Sequence, residues 1–306
     1  MRISGLIFYL SSEDSYFRLE LTINIGGYIM KTLKLTVVLF GLVFIFLNST
    51  LVAQERNPQN INDWKGLTIL YFSPHPDDEV SSSGTLAKLV KNGNRVYVVL
   101  FTNGNKGSHD LDMTSERLAQ IRRDEDISAN GKVGIPKENI FFMGYDDGML
   151  EYVPAKELCE KVCWYVRKYR PDAVFCYDPG GEWMQWHKTD HRMSAFITVD
   201  GARAAAYHLY FPQQRINEGL QPFTIRDFFF YGSKEPNYNV DITDVADLKY
   251  QAAIQHTSQV GKGNDKYTGP EMAPEDKENI KSRWMKKDAD GKIYEKFRRL
   301  EESLSF

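Results

Sequence analysis

The sequence predicts an α/β fold, a mostly parallel sheet with helices on both faces in a single domain. Three observations predict it. Short apolar runs rich in β-branched and aromatic residues alternate with stretches of helical periodicity. Each run is bounded by Gly, Pro or Asn. The segment carrying the pattern, residues 54–306, has the length of one α/β domain. Leu67–Phe72 (LTILYF) lies between Gly66 and Pro74 and reads as a buried parallel strand. Gly84–Lys91 sets Leu86, Leu89 and Val90 at helical spacing and stops at Asn92-Gly93. Arg95–Phe101 is a second strand, so the first unit is βαβ and must cross over right-handed. The alternation continues with a helix over Ser115–Val133, a strand over Ile140–Met143 and a helix over Ala155–Tyr169. Then come a strand over Ala173–Tyr177, a helix over Thr189–Ala206 and a late strand over Phe228–Tyr231. Such alternation is Rossmann-like, and in open sheets of this kind ligands bind beyond the carboxyl ends of the strands.

The remaining segments read more plainly. Residues 54–65 are a polar leader, and residues 261–278, polar and rich in Gly and Pro, are a loop or lid. Basic residues in Lys281–Lys287 and Lys296–Arg299 are interleaved with acids and read as a solvated helix face. The net charge of −3 and pI of 6.1 supply no basic footprint for nucleic acid. Cys159, Cys163 and Cys176 are too few and odd in number for a disulfide framework and read as apolar packing.

The N-terminus has the layout of a secretory signal peptide. Met30-Lys31 and Lys34 form a basic start, Leu35–Leu47 runs without a charge, and Ala53-Gln54 is the expected cleavage point. Asn48, Ser49 and Thr50 end the run short of the ~20 apolar residues of a membrane span. Residues 1–29 make no sense ahead of a signal and read as an artefact of gene-start choice. The expected domain is therefore residues 54–306, exported to the periplasm or outside the cell, with no span after processing.

Chemistry concentrates in two loops. After the first strand the chain reads His75-Pro76-Asp77-Asp78-Glu79, one imidazole and three carboxylates in five residues. Like charges so close are most simply relieved by a cation. After the fourth strand it reads His187-Lys188-Thr189-Asp190-His191, preceded by Trp183 and Trp186. Two His and one carboxylate on one ion leave a position open for water, and a second carboxylate can take the water's proton. A Gly-rich dinucleotide turn is absent at this place, and the carboxylates would repel a pyrophosphate.

Pro74-His75-Pro76-Asp77-Asp78-Glu79 resembles the signature of the PIG-L/LmbE-like de-N-acetylase family, and Asp190-His191-Arg192 resembles that family's second motif. Weaker echoes are Thr102-Asn103-Gly104, Arg122 with Glu125 and Ala129, Asp147-Gly148, Val240-Asp241-Ile242, and Lys249 through His256-Thr257-Ser258-Gln259. The resemblance spans roughly residues 66–262. It implies His75, Asp78 and His191 as ligands of Zn²⁺, with Fe²⁺ as the other metal such a set suits. It implies Asp77 as general base, Asp190 as the group orienting a neighbouring imidazole, and Arg122 and Asp146 or Asp147 as substrate contacts. His187 would hold the oxyanion or protonate the leaving amine. The family has one residue between its first His and the Asp where this chain has Lys188 and Thr189, which puts the role of His187 in question. The implied reaction is hydrolytic removal of an N-acyl group, an acetyl, from an amino sugar or its conjugate, a small molecule or glycan. The alternative is a metal-bearing carbohydrate-binding module without turnover, against which Asp77 argues. Glu79 reads as a cap for the next helix, and Cys176 with Tyr177 as core.

Overall fold

The computed structural model describes residues 57–180 and 189–301, with five short strands between residues 6 and 35. The chain divides into two compact units at Glu55–Arg56. In the first, Leu6–Tyr9, Arg18–Leu21 and Leu33–Leu35 pair antiparallel, as do Asn24–Ile25 and Tyr28–Ile29. The expected cleavage point at Ala53 and residues 36–47 of the apolar run lie outside the described residues.

The second unit carries a seven-stranded sheet. Its elements are β1 (Thr68–Ser73), α1 (Ser83–Lys91), β2 (Arg95–Thr102), α2 (Ser115–Lys132), β3 (Ile140–Tyr145), α3 (Ala155–Tyr169), β4 (Ala173–Tyr177) and α4 (Thr189–Ala205). There follow α5 (Pro212–Glu218), β5 (Phe228–Tyr231), β6 (Tyr238–Asp241), α6 (Ala246–Ala253), α7 (Pro274–Trp284) and β7 (Tyr294–Leu300). Every strand and helix expected from periodicity is present, with small differences at the ends. The spatial order is β6-β7-β5-β4-β1-β2-β3. β3, β2, β1, β4 and β5 run parallel, whereas β7 is antiparallel to both β5 and β6. The order therefore reverses direction between β1 and β4, which makes the crevice at their carboxyl ends the place where such sheets bind ligands.

Alternation along the strands builds both faces. Ile69, Tyr71, Val98, Leu100, Phe175 and Phe229 point to one side, where Leu86 and Leu89 of α1, Ala129 of α2 and Ala246 of α6 cover them. Leu70, Phe72, Val99, Phe101, Val174 and Phe228 point to the other, under Leu158, Val162 and Val166 of α3 and Ile197 and Ala202 of α4. α4 is drawn tight against α3 at Gly201, where a Cβ would stand 2.5 Å from the Val162 Cβ. That contact matters because the first turn of α4 carries Asp190 and His191.

Three readings are corrected. Lys296–Arg299 is not helical but lies in β7, where Glu295, Phe297 and Arg299 face inward. Its buried charges are matched by Lys249 and Asp227 from distant segments, which a local helical reading cannot see. Residues 261–278 are not all loop: Lys262–Asp265 is a helical turn, and α7 starts at Pro274 with Glu275 and Asp276 in its first turn, the chemistry of a helix start. The leader is not simply polar, since Ile61 and Trp64 are buried and the Trp64 ring meets Phe229 edge-on at 5.4 Å. Cys163 and Cys176 are buried, Cys159 is half-buried, and all three are free thiols. Among the described residues no helix is long and apolar enough to cross a membrane.

Candidate metal centre

β1 ends at Ser73, and Asp78–Ser82 forms a 3₁₀ turn before α1 begins. This tight turn folds the His-Pro-Asp-Asp-Glu segment back over the strand ends. Asp78 Oδ2 lies 2.9 Å from His75 Nδ1 and also accepts from the His75 backbone N–H at 3.2 Å. From the first turn of α4, His191 Nε2 comes within 3.3 Å of Asp78 Oδ2 and 3.2 Å of His75 Nδ1. The three expected donors thus form a nearly equilateral triangle.

The donor set fits a divalent ion. Zn²⁺ bonds of about 2.0–2.2 Å in tetrahedral array put neighbouring ligand atoms about 3.4 Å apart, so the triangle has nearly the size of one tetrahedral face. The back of His75 fits as well. Its Nε2 is 3.0 Å from Asp147 Oδ1 and 3.1 Å from Asp190 Oδ2. A metal-binding imidazole ordinarily gives its other N–H to a carboxylate, which fixes the tautomer. Asp190, 1% exposed, is itself set by the backbone N–H groups of Gly148 and Leu150. The imidazole that Asp190 orients is therefore His75.

Electrostatics reflect this crowding. Burial would lower the His75 pKa, but Asp147, Asp190 and Asp78 together raise it well above its ordinary value. Burial would raise Asp78, but His191 and His75 hold it well below the usual carboxylate range. Asp77 lies beside the triangle without a part in it. Loss of water pushes its pKa up, Arg122 opposes, and Asp78 pushes further, with a net rise.

Asp77 is held in a strained backbone position, with φ 141° and ψ −20°. A non-glycine residue there costs of order 1–3 kcal/mol and persists where its surroundings over-determine it. Arg122 is that surrounding. Expected to touch substrate, it is buried against Asp77 with 3% exposure. Its NH2 donates to Pro76 O at 2.7 Å and Asp77 Oδ1 at 3.1 Å, and its NH1 donates to Gly104 O at 3.0 Å. Gly104 makes room for it: at φ +64° it suits glycine, and a Cβ there would lie 2.6 Å from the guanidinium carbon.

The other expected residues separate. Asp147 joins His75 to Arg122, at 3.6 Å from NH1. Asp146 is more than half exposed at the rim, paired with Lys106 at 3.1 Å and Asn105 at 2.9 Å. His187, Trp183 and Trp186 lie outside the described residues. Glu79 does not cap α1, because the 3₁₀ turn intervenes; its Oε2 accepts from the Asp77 N–H at 3.2 Å and its Oε1 lies 3.4 Å from buried His256. Glu125 accepts from Thr257 Oγ1 and from Ser258 N and Oγ, tying the turn after α6 to α2.

Tyr177 packs against the core as expected and also reaches the candidate site. Its hydroxyl donates to Asp78 Oδ1 at 3.0 Å, and its ring stacks on His191 at 4.3 Å and 27°. Burial and the Asp78 charge raise its pKa well above the ordinary value, so it remains a donor. The available signal was its place as last residue of a strand at the ligand-binding end of the sheet.

Fold and site define a class, an α/β protein with a candidate metal centre at the reversal point of its sheet. The sequence profile of the PIG-L family, described as GlcNAc-PI de-N-acetylase, matches residues 70–202. The chain is 32% identical over 193 residues to diacetylchitobiose deacetylase of Thermococcus kodakarensis, covering 62% of this chain and 69% of that protein. It is 27% identical over 179 residues to mycothiol S-conjugate amidase of Streptomyces coelicolor, covering 52% and 59% respectively. The solved N,N'-diacetylchitobiose deacetylase of Pyrococcus horikoshii superposes with a TM-score of 0.67 at 27% identity, over 85% of this chain and 92% of that one. The chain belongs to the PIG-L family, whose LmbE-like members include these deacetylases.

Proposed function

We propose that the protein is a metal-dependent amidohydrolase that removes the N-acetyl group of an amino sugar or its conjugate. One observation carries the reading: Asp77 is clamped by Arg122 directly beside the His75–Asp78–His191 triangle. The names of the relatives, a deacetylase of diacetylchitobiose and an amidase of mycothiol S-conjugates, support it.

His75, Asp78 and His191 would hold Zn²⁺ or Fe²⁺. A divalent ion in such a set acidifies a water and polarises a carbonyl oxygen. The chain's own residues do the rest. Asp77 takes the proton of the attacking water, and Arg122 fixes the carboxylate that receives it. Asp147 and Asp190 keep the proton of His75 on Nε2, so that Nδ1 presents its lone pair. His187 is assigned to the oxyanion or the leaving amine, and Asp146 at the rim to substrate hydroxyls.

The test is acetate release by purified protein from a panel of N-acetylated amino sugars and their conjugates, with and without added Zn²⁺. Metal-dependent release is expected from at least one of them. Metal-loaded protein that releases nothing across the panel would favour the carbohydrate-binding alternative.

We also propose export, on the strength of the basic start and the apolar run of residues 30–53. Protein recovered outside the cytoplasm is expected to begin at or near Gln54. An N-terminus retaining residues 30–53 would overturn this.

A further inference from the structure

We propose that Tyr177 is a positioning residue of the metal centre, whose hydroxyl occupies one oxygen of Asp78 while its ring sets the plane of His191. The inference rests on the reading of His75, Asp78 and His191 as ligands. Of the two Asp78 oxygens, Oδ2 faces both imidazoles, at 2.9 and 3.3 Å, and Oδ1 accepts from Tyr177 at 3.0 Å. The carboxylate therefore offers a single oxygen to the triangle. One side chain governs two of the three donors.

Tyr177 can do this because it is itself braced. Its ring lies 4.3 Å from that of Tyr231, which stacks on Tyr71 at 5.0 Å and 7°. The Tyr231 hydroxyl donates to Phe72 O at 2.9 Å, and Tyr71 is hydrogen-bonded to Ser82 Oγ at 3.2 Å. The three tyrosines come from β1, β4 and β5: the parallel register sets Tyr177 opposite Tyr231, and Tyr71 opposite Phe175, one step back on the same face of β4. The backbone leaves room for the outermost ring: at Gly232 a Cβ would lie 2.9 Å from it. Such a stack extends the rigidity of the sheet to the hydroxyl that touches Asp78.

Tyr177→Phe separates positioning from packing, because it removes the hydroxyl and keeps the ring. Partners of metal ligands typically contribute 10–100-fold in affinity. The variant is therefore expected to bind Zn²⁺ about 10–100-fold more weakly in competition with a chromogenic chelator. The unfolding midpoint of the metal-free protein should stay at the parental value. A second readout is the visible absorption of bound Co²⁺, which is intense at four-coordination and weaker when a freed carboxylate binds through both oxygens. Weaker absorption in Tyr177→Phe supports the proposal. Parental affinity with a parental spectrum overturns it, and so does a metal-free midpoint that falls along with the affinity, which would mark Tyr177 as packing. If the unmodified protein holds neither Zn²⁺ nor Co²⁺, the metal centre itself is wrong, and that result is distinct from the others.

Discussion

Asp77→Asn is expected to lower kcat for acetate release by about 10²–10⁴-fold, the usual contribution of a positioned general base. The amide keeps the size of the side chain and its hydrogen-bonding reach toward Arg122, but it cannot accept a proton. Metal content should be unchanged, because Asp77 contributes no atom to the triangle of His75, Asp78 and His191. KM should move little, since substrate contacts are assigned elsewhere. The measurement is steady-state acetate release with metal quantified on the same sample. Parental turnover in a metal-loaded variant would remove Asp77 from the mechanism. Loss of metal together with activity would instead make it part of the binding site.

The second large effect concerns stability. Lys249 and Glu295 form an ion pair with each side chain only 3% exposed. Lys249 also donates to Val80 O at 2.8 Å and Ser81 O at 3.0 Å, inside the turn that follows Asp78. Glu295 accepts from Gly84 N at 3.0 Å and Thr85 N at 2.7 Å, the open N–H groups at the start of α1. Removing one partner leaves the other charge buried and uncompensated, which costs about 3–5 kcal/mol. Lys249→Met is expected to lower stability by that amount, a large share of the ~5–15 kcal/mol that holds a typical domain together. Lys249→Met with Glu295→Gln should lose less than the two single variants together, because the unmatched charge is gone. Urea unfolding of the four proteins measures this. Strict additivity would show that the pair is not coupled and that the hydrogen bonds to the turn carry the effect.

The fold was largely legible because its signal is local. β1, β2 and β4 are uninterrupted apolar runs, and the helices between them keep their periodicity. β7 was misread because Glu295 and Arg299 face inward at positions where a strand pattern calls for apolar residues. Their partners lie 46 and 72 residues away, so no window along the chain contains the compensation. The site divides along the same line. His75, Asp77 and Asp78 were legible because the motif is contiguous, and His191 because it opens a helix after the fourth strand. The actual positions of Arg122 and Tyr177 were not legible. That Arg122 supports Asp77 depends on how α2 packs against the loop at Gly104. That core-packed Tyr177 also reaches Asp78 depends on how β4 is registered against β1 and β5.

The link between Glu295 and the start of α1 also bears on the order in which the protein can mature. His75 meets its partner His191 only after 116 further residues, and the Thr85 N–H finds Glu295 only after 210. A nascent chain that has emerged as far as β2 displays the acidic motif as a partial chelate, with neither the second imidazole nor the clamp on the turn behind it. Such a chain has little to retain an ion and much to keep it from settling, for closing loops of this span is slow. If His75, Asp78 and His191 hold an ion as proposed, its loading would be a late event, coupled to the arrival of a strand that follows the acidic motif by some two hundred residues. A protein that crosses a membrane unfolded would then acquire its metal on the far side.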